Sequence, residues 1–231
     1  MTPREGTEFL LRICWMRQSK SFDRRISSPV IFIEYFFLVS YNISDEFLRG
    51  KIMANPIGHF KTITKHRHTV IKHCAKAGIL WRGMLHDLSK YMPAEFIGGA
   101  KYYTGTRSPN DLQRQENGYS AAWMHHKGRN KHHFEYWYDY NPATHQNEPV
   151  KMPMKFVIEM FCDRVAASKV YKGAEYTDSS PLEYYRWRKD YMSIHPETAA
   201  LLEKLTVMLA EEGEEITFDY IRKELRKKKN Y

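Results

Sequence analysis

Residues 57–77 read IGHFKTITKHRHTVIKHCAKA. Phe60, Ile63, Val70, Cys74 and Ala77 recur there at helical spacing, and Gly78 is placed to end the helix. Alternating strand patterns are scarce after this stretch, so the spacing predicts an all-α fold, a compact multi-helix bundle. Further starts and stops follow. His86-Asp87 falls on a second predicted helix closing near Tyr91, Pro93 opens a third through Tyr103, and Ser108-Pro109 has the form of another start. Gly118 and Ser120 mark a break before a helix over Ala121 to His126, and Asn130 is placed to cap a short helix through Tyr138. Met152-Pro153 opens a long helix to about Tyr171, Ser180-Pro181 opens another, and helices over Glu197 to Glu211 and Phe218 to Lys229 complete the chain.

The chain of 231 residues is long enough for one domain with additions. Its hydrophobic fraction of 42% and charged fraction of 27% exclude disorder across most of it. Cys14, Cys74 and Cys162 are far apart and have no C-x-x-C spacing, which argues against a disulfide framework or a zinc ribbon and fits a reducing cytoplasm. A formal net charge of +9 favours an anionic partner, whether nucleic acid, a nucleotide or other phosphate-containing small molecule, or a membrane surface. The dense basic run from Arg222 to Lys229 reads as a solvated helix end whose cations complement the helix dipole.

Residues 1–52 have another texture and carry no motif. The apolar run from Val30 to Tyr41 is interrupted by Glu34 and is shorter than the roughly 20 residues a membrane span needs, so stable membrane insertion is not expected. No small-x-small cleavage pattern follows the run, so a signal peptide is not expected either. The segment is read as an N-terminal extension, with Met53 as the natural start. Residues 53–231 then form a single α-helical metal-binding domain with C-terminal helices and a basic tail.

Nine of the 11 histidines fall between His59 and His133. Imidazole and carboxylate together suit zinc, iron, manganese or nickel. At about 100° per residue, His66 lies on the edge of the apolar stripe of its helix, whereas His68 points away from it. His59 and His73 share the edge with His66 and are candidates for outer hydrogen-bonding roles. Asp163 falls among Phe156, Met160, Ala167 and Val170, in the middle of a core-facing stripe. A carboxylate there needs a metal or a cation such as Arg82, Arg107 or Lys90. Glu159, one turn earlier, is placed to hold a ligand histidine. His125-His126 and His132-His133 stand between these helices, and in a helical pair only one member faces a given point. His125 is favoured in the first pair, and the choice between His132 and His133 stays open. Alternatively, the aromatic stretch Phe134 to Tyr140 packs a core or a nucleobase and the histidines merely flank it.

Taken in order, His66, His86-Asp87, the later histidines and Asp163 resemble the ligand order of the HD-domain superfamily of metal-dependent phosphohydrolases. His66-x-x-x-Val70 is similar to that family's first-helix motif, and His86-Asp87-Leu88-Ser89-Lys90 to its HD-x-G-K segment, with Ser89 in place of glycine. Trp81-Arg82-Gly83 through Lys90, Glu95-Phe96, Ala122-Trp123 and Asn130-Lys131-His132-His133 more closely resemble a family of uncharacterised bacterial and phage proteins. The HD resemblance implies that His66, His86, Asp87 and Asp163 hold one metal. Asp87 would bridge to a second ion held by His125 and by His132 or His133. One or two divalent ions are thus expected, from among manganese, iron, zinc, nickel and magnesium.

The implied reaction is hydrolysis of a nucleotide or other phosphate ester by a metal-activated water, with Asp87 at the catalytic centre. Lys90 is expected to bind a phosphate oxygen, Arg107, Lys127, Arg129 and Lys131 are further candidates for anion binding, and Asn130 or Glu135 could orient a water or a ligand. Two other readings compete, an HD-fold di-iron oxygenase and a non-enzymatic nucleic-acid or partner-binding module with a structural metal.

Overall fold

The computed structural model describes residues 55–228. The extension expected over residues 1–52 and the last residues of the basic tail lie outside the described residues, and the chain divides between Ile52 and Met53. The described chain is mostly helical, as the periodicity predicts, with eight α-helices and one two-stranded sheet among the described residues. No helix among them is long and apolar enough to cross a membrane.

Helix α1 spans Pro56–Lys76. Asn55 caps it by accepting from the Gly58 amide at 2.7 Å, and Pro56 stands in the first turn, where a missing N–H costs nothing. At its other end Gly78 takes a φ of 76°, and Arg226 donates to the Gly78 carbonyl at 3.0 Å. The short α2, Leu80–Leu85, packs across the C-terminal half of α1. The two backbones approach closely at Gly83, where a Cβ would stand 2.7 Å from that of Cys74 and 3.1 Å from the Ile71 Cα.

Helices α3 (Pro93–Lys101), α4 (Pro109–Asn117) and α5 (Ala121–Lys127) follow with short connections. Ser120 caps α5 by accepting from the Trp123 amide. Helix α6, Met154–Lys172, is the centre of the bundle. Val157, Ile158, Phe161, Cys162 and Val165 on it are fully buried. A helix apolar around most of its circumference belongs in a core, so its Glu159 and Asp163, one turn apart on one face, need partners there. Helices α7 (Ser180–Arg188) and α8 (Pro196–Tyr220) close the bundle, and Leu202, Leu205 and Leu209 meet the apolar side chains of α1 and α6. The two helices expected over 197–229 join at a kink at Gly213, whose φ of 84° breaks the helical path, and a π-helical turn over Ile221–Leu225 follows.

Two expectations fail. Asn130 does not cap a helix through Tyr138: it opens a turn, a 3-10 segment over Phe134–Tyr136 follows, and Tyr138 begins a strand. Strands β1 (Tyr138–Asn141) and β2 (Gln146–Pro149) pair antiparallel, with Tyr138 opposite Pro149 and Asn141 opposite Gln146. Pro142 and Pro149 oppose helix here, and tyrosines at alternate positions favour a pleated strand. Nor do His86 and Asp87 lie within a helix. Helix α2 ends at Leu85, His86 is extended (φ −59°, ψ 131°), and Asp87 is left-handed (φ 53°, ψ 25°) before a 3-10 turn over Leu88–Tyr91.

Candidate metal centre

The break in the chain after α2 is what aims the His-Asp pair. In a continuous helix adjacent side chains diverge by about 100°, whereas here an extended residue followed by a left-handed one turns both inward. Aspartate tolerates the left-handed region better than most residues do. The segment is tied to α1 by Arg67, which donates to the carbonyls of His86 at 3.3 Å and Met84 at 2.5 Å. Helix α1 supplies His66, which is buried, while His68 two residues on is exposed. Helix α6 supplies Asp163, the last turn of α5 supplies His126, and the turn that follows supplies His132 and His133. Asn130 shapes that turn by donating to the His126 carbonyl at 2.9 Å and to the Ser89 hydroxyl at 2.8 Å.

These side chains form two donor sets that share Asp87, and a third grouping joins His86 and His132 to Glu159 through their other ring nitrogens. In the first, Nε2 of His66 lies 2.9 Å from Oδ1 of Asp163 and 3.9 Å from Oδ2 of Asp87. Nε2 of His86 lies 3.2 Å from the same Asp87 oxygen and 3.4 Å from the same Asp163 oxygen. In the second, Oδ1 of Asp87 lies 3.3 Å from Nε2 of His126 and 3.4 Å from Nε2 of His132, and the Nε2 atoms of His126 and His133 are 2.8 Å apart. Donors bound about 2.1 Å from one ion stand about 3–3.5 Å from each other when cis. Asp87 thus offers one oxygen to each set.

Nε2 of His66, His86 and His132 and both oxygens of Asp87 are buried without an aligned hydrogen-bond partner. Buried polar atoms are rarely left so, and here they converge on two points with the donor types that bind divalent transition metals. The residues present therefore fit a metal ion.

The opposite edges of the rings are held by carboxylates. Oε1 of Glu159 accepts from Nδ1 of His86 at 3.1 Å and lies 3.4 Å from Nδ1 of His132, while its Oε2 takes the Nε of Arg82 at 2.7 Å. Glu95 uses one oxygen for Nδ1 of His126 and the other for Nδ1 of His125, both at 2.7 Å. A carboxylate on Nδ1 fixes the tautomer that leaves Nε2 free to coordinate. Burial works to raise the Glu159 pKa, but its bonds to His132 and His86 prevail and lower it to about 2. Asp163 is likewise held well below the usual carboxylate range, burial being outweighed by His66 and His86 beside it. For Asp87, His86 and Lys90 outweigh burial in the same direction. Burial pushes the imidazoles of His66, His132 and His133 down, whereas for His86 the carboxylates of Asp87, Asp163 and Glu159 outweigh burial and push it well up.

The cations are distributed unevenly. Lys90 reaches the cluster, its Nζ 2.6 Å from Oδ2 of Asp87 and its side chain 30% exposed. Arg82 pairs with Glu159 rather than Asp163. Lys127 is partly exposed, and Arg107, Arg129 and Lys131 are exposed; Lys131 lies over the Tyr136 ring. His125 is a correction: the turn after Trp123 carries His126, not His125, to Asp87, and His125 points along the partly exposed side of α5 to Glu95. Between His132 and His133, the structure brings both to the second set. His59 and His73 stand apart from it, His59 against Phe96 and Tyr103, His73 stacked on Phe218. The one signal the sequence offers for Glu95 is its place a helical turn before Gly98, where α3 packs against Ala122 of α5.

A family model described as a family of unknown function (DUF5662) matches residues 55–208. Neither a curated protein nor a solved structure matches the chain.

Proposed function

The chain belongs to that family of unknown function, and we propose that it is a metal-dependent phosphohydrolase of HD type, acting on a nucleotide or other phosphate ester. The observation that supports this most is the division of Asp87, one oxygen toward His66, His86 and Asp163 and the other toward His126, His132 and His133. Such an arrangement suits two divalent ions bridged by one carboxylate. Bound there, they would supply Lewis acidity toward phosphoryl oxygens and a water acidified toward neutrality. Glu159 and Glu95 keep the ligand imidazoles in the coordinating tautomer and orientation. Lys90 places a positive charge against Asp87 at the partly exposed edge of the cluster, where a phosphate oxygen would arrive. Asn130 fixes the backbone that carries His126 through its bonds to the His126 carbonyl and the Ser89 hydroxyl.

The test is elemental analysis of tag-free protein combined with a panel of nucleotides, phosphomonoesters and phosphodiesters assayed with Mn²⁺, Mg²⁺, Zn²⁺, Fe²⁺ and Ni²⁺. Metal-dependent release of phosphate, abolished in D163A, supports the reading. A donor set of nitrogen and oxygen alone with a shared carboxylate also suits an iron pair; iron whose absorbance responds to oxygen, with no ester cleaved, would replace hydrolysis by oxidation. Salt-dependent nucleic-acid binding that survives chelation and H86A would instead favour the binding-module reading.

A further inference from the structure

Helix α7 buries Leu182 and Tyr185, the latter donating its hydroxyl to the Ala199 carbonyl at 3.3 Å. The rest of its circumference keeps large rings in solvent. Tyr184 is 51% exposed, Trp187 67%, and Tyr191, in the 3-10 turn over Lys189–Tyr191 that follows, 82%. The three stand at i, i+3 and i+7, and the ring centroids of Tyr184 and Trp187 are 5.9 Å apart. Arg186, Arg188 and Lys189 are exposed between these rings, and the Arg188 guanidinium lies 5.6 Å from the centre of the Trp187 ring. Among the described residues none of the three cations has an ion-pair partner. Glu183 is taken by Lys172 at 3.0 Å, which leaves Asp190 as the one carboxylate of the segment to oppose them. Cations near the end of a helix complement its dipole, but the dipole gives no reason for exposed aromatic rings among them. Contiguous apolar surface left in water marks an interaction site.

We infer that this face of α7 is a binding platform for single-stranded nucleic acid. Tyr184, Trp187 and Tyr191 take bases by stacking, and Arg186, Arg188 and Lys189 hold the phosphates that run beside them. The arginines add flat cationic surface to the rings as well as charge. Rings that stand out from a helix need bases with free faces, which a strand offers and a duplex does not. A lipid surface fits less well. No aliphatic residue occurs between Glu183 and Tyr191, and two of the three rings end in hydroxyls, whereas a helix lying in a bilayer interface sinks an apolar face into it. The net charge of +9 draws any polyanion to the chain, so the rings carry what is particular to this site. The inference concerns binding and does not rest on the hydrolase reading.

The experiment is fluorescence anisotropy of the full chain with a labelled oligothymidine strand of about 20 nucleotides and with a duplex of the same length, from about 50 to 200 mM salt. Thermal melts verify folding, and the length of the strand is checked after each titration. Wild type is expected to bind the strand at least about fivefold tighter than the duplex. W187A, which leaves every charge in place, is expected to weaken strand binding at least about fivefold, whereas W81A, which removes an exposed tryptophan from α2, stays within about twofold of wild type. The triple variant R186Q/R188Q/K189Q is expected to lower the slope of log affinity against log salt by about 2. Should W187A fail to fold, Y191A removes the most exposed ring, with an expected weakening of about threefold or more. Wild-type affinity in W187A, equal weakening in W81A, no preference for the strand, or no strand bound at the lowest salt each overturns the platform. So does a W187A chain that loses binding to vesicles of phosphatidylserine and phosphatidylcholine while its strand binding is unchanged. Strand binding joined to metal-dependent ester cleavage gives the hydrolase a nucleic-acid anchor, and strand binding without cleavage is the binding-module outcome; both uphold the platform, because anisotropy requires no turnover.

Discussion

Replacing Glu159 by glutamine keeps the volume and removes the charge at the point where two ligand imidazoles and Arg82 meet. The carboxylate gives one oxygen to Nδ1 of His86 and His132 and the other to Arg82. Glutamine has one acceptor and one donor end. If its oxygen faces Arg82, its NH₂ faces Nδ1 of the histidines and favours the tautomer with the proton on Nε2, which blocks coordination. If its oxygen faces the histidines, the NH₂ opposes the guanidinium. Loss of such a contact behind a ligand costs about 10–100-fold in metal affinity, or about 1.4–2.7 kcal/mol. The Arg82 side chain is 30% exposed, so the accompanying loss of apo-protein stability is expected at about 1–3 kcal/mol, below that of a fully buried pair. Competition with a chromophoric chelator measures the first quantity and urea unfolding of the metal-free protein the second. Chelator competition within about twofold of wild type, at a measured loss of apo stability, would refute the argument that Glu159 tunes the ligands and leave it a purely structural pair.

Three further outcomes are expected. H126A should lose metal while H125A retains it within about threefold, because the former ring faces Asp87 and the latter only Glu95; equal loss in the two, by elemental analysis, would undo the assignment. G83A should cost about 1–3 kcal/mol in urea unfolding, since its Cβ would stand 2.7 Å from that of Cys74 and drive α2 off α1; an unchanged midpoint would mean that the helices yield without cost. Burial, reinforced by the Lys90 charge, lowers the His59 pKa from 6.5 to about 4. The unfolded imidazole therefore binds the proton first, and stability present above pH 6.5 falls toward pH 4, by about 2 kcal/mol from this group at pH 5. H59Q should flatten that part of the pH dependence in metal-free thermal melts, and an unaltered slope would contradict it.

The long helices were legible in the sequence because each carries an apolar stripe over several turns with proline at its start and glycine at or near its end, as in Pro56–Lys76 and Met154–Lys172. Helical phase also distinguishes His66 from His68 and puts Asp163 toward the core. Phase loses its meaning where the helix stops, and there the reading failed. Nothing in Leu85-His86-Asp87-Leu88 announces a left-handed residue, since the usual signal, glycine, is absent. Helical phase does not separate His125 from His126, because the rotation of a seven-residue helix cannot be anchored by so few apolar positions. The hairpin was missed because its strands are four residues long and mostly exposed, so no apolar alternation marks them.

The account stands on Asp87 serving two donor sets at once. The most direct measurement is the metal content per chain of tag-free wild type beside D163A, H132A and D87A, with thermal melts to verify folding. Two equivalents in wild type, one in D163A, one in H132A and none in D87A are expected from the shared carboxylate. A folded D87A chain that keeps the full wild-type metal content, or a wild type with none after incubation with each ion in turn, would contradict it.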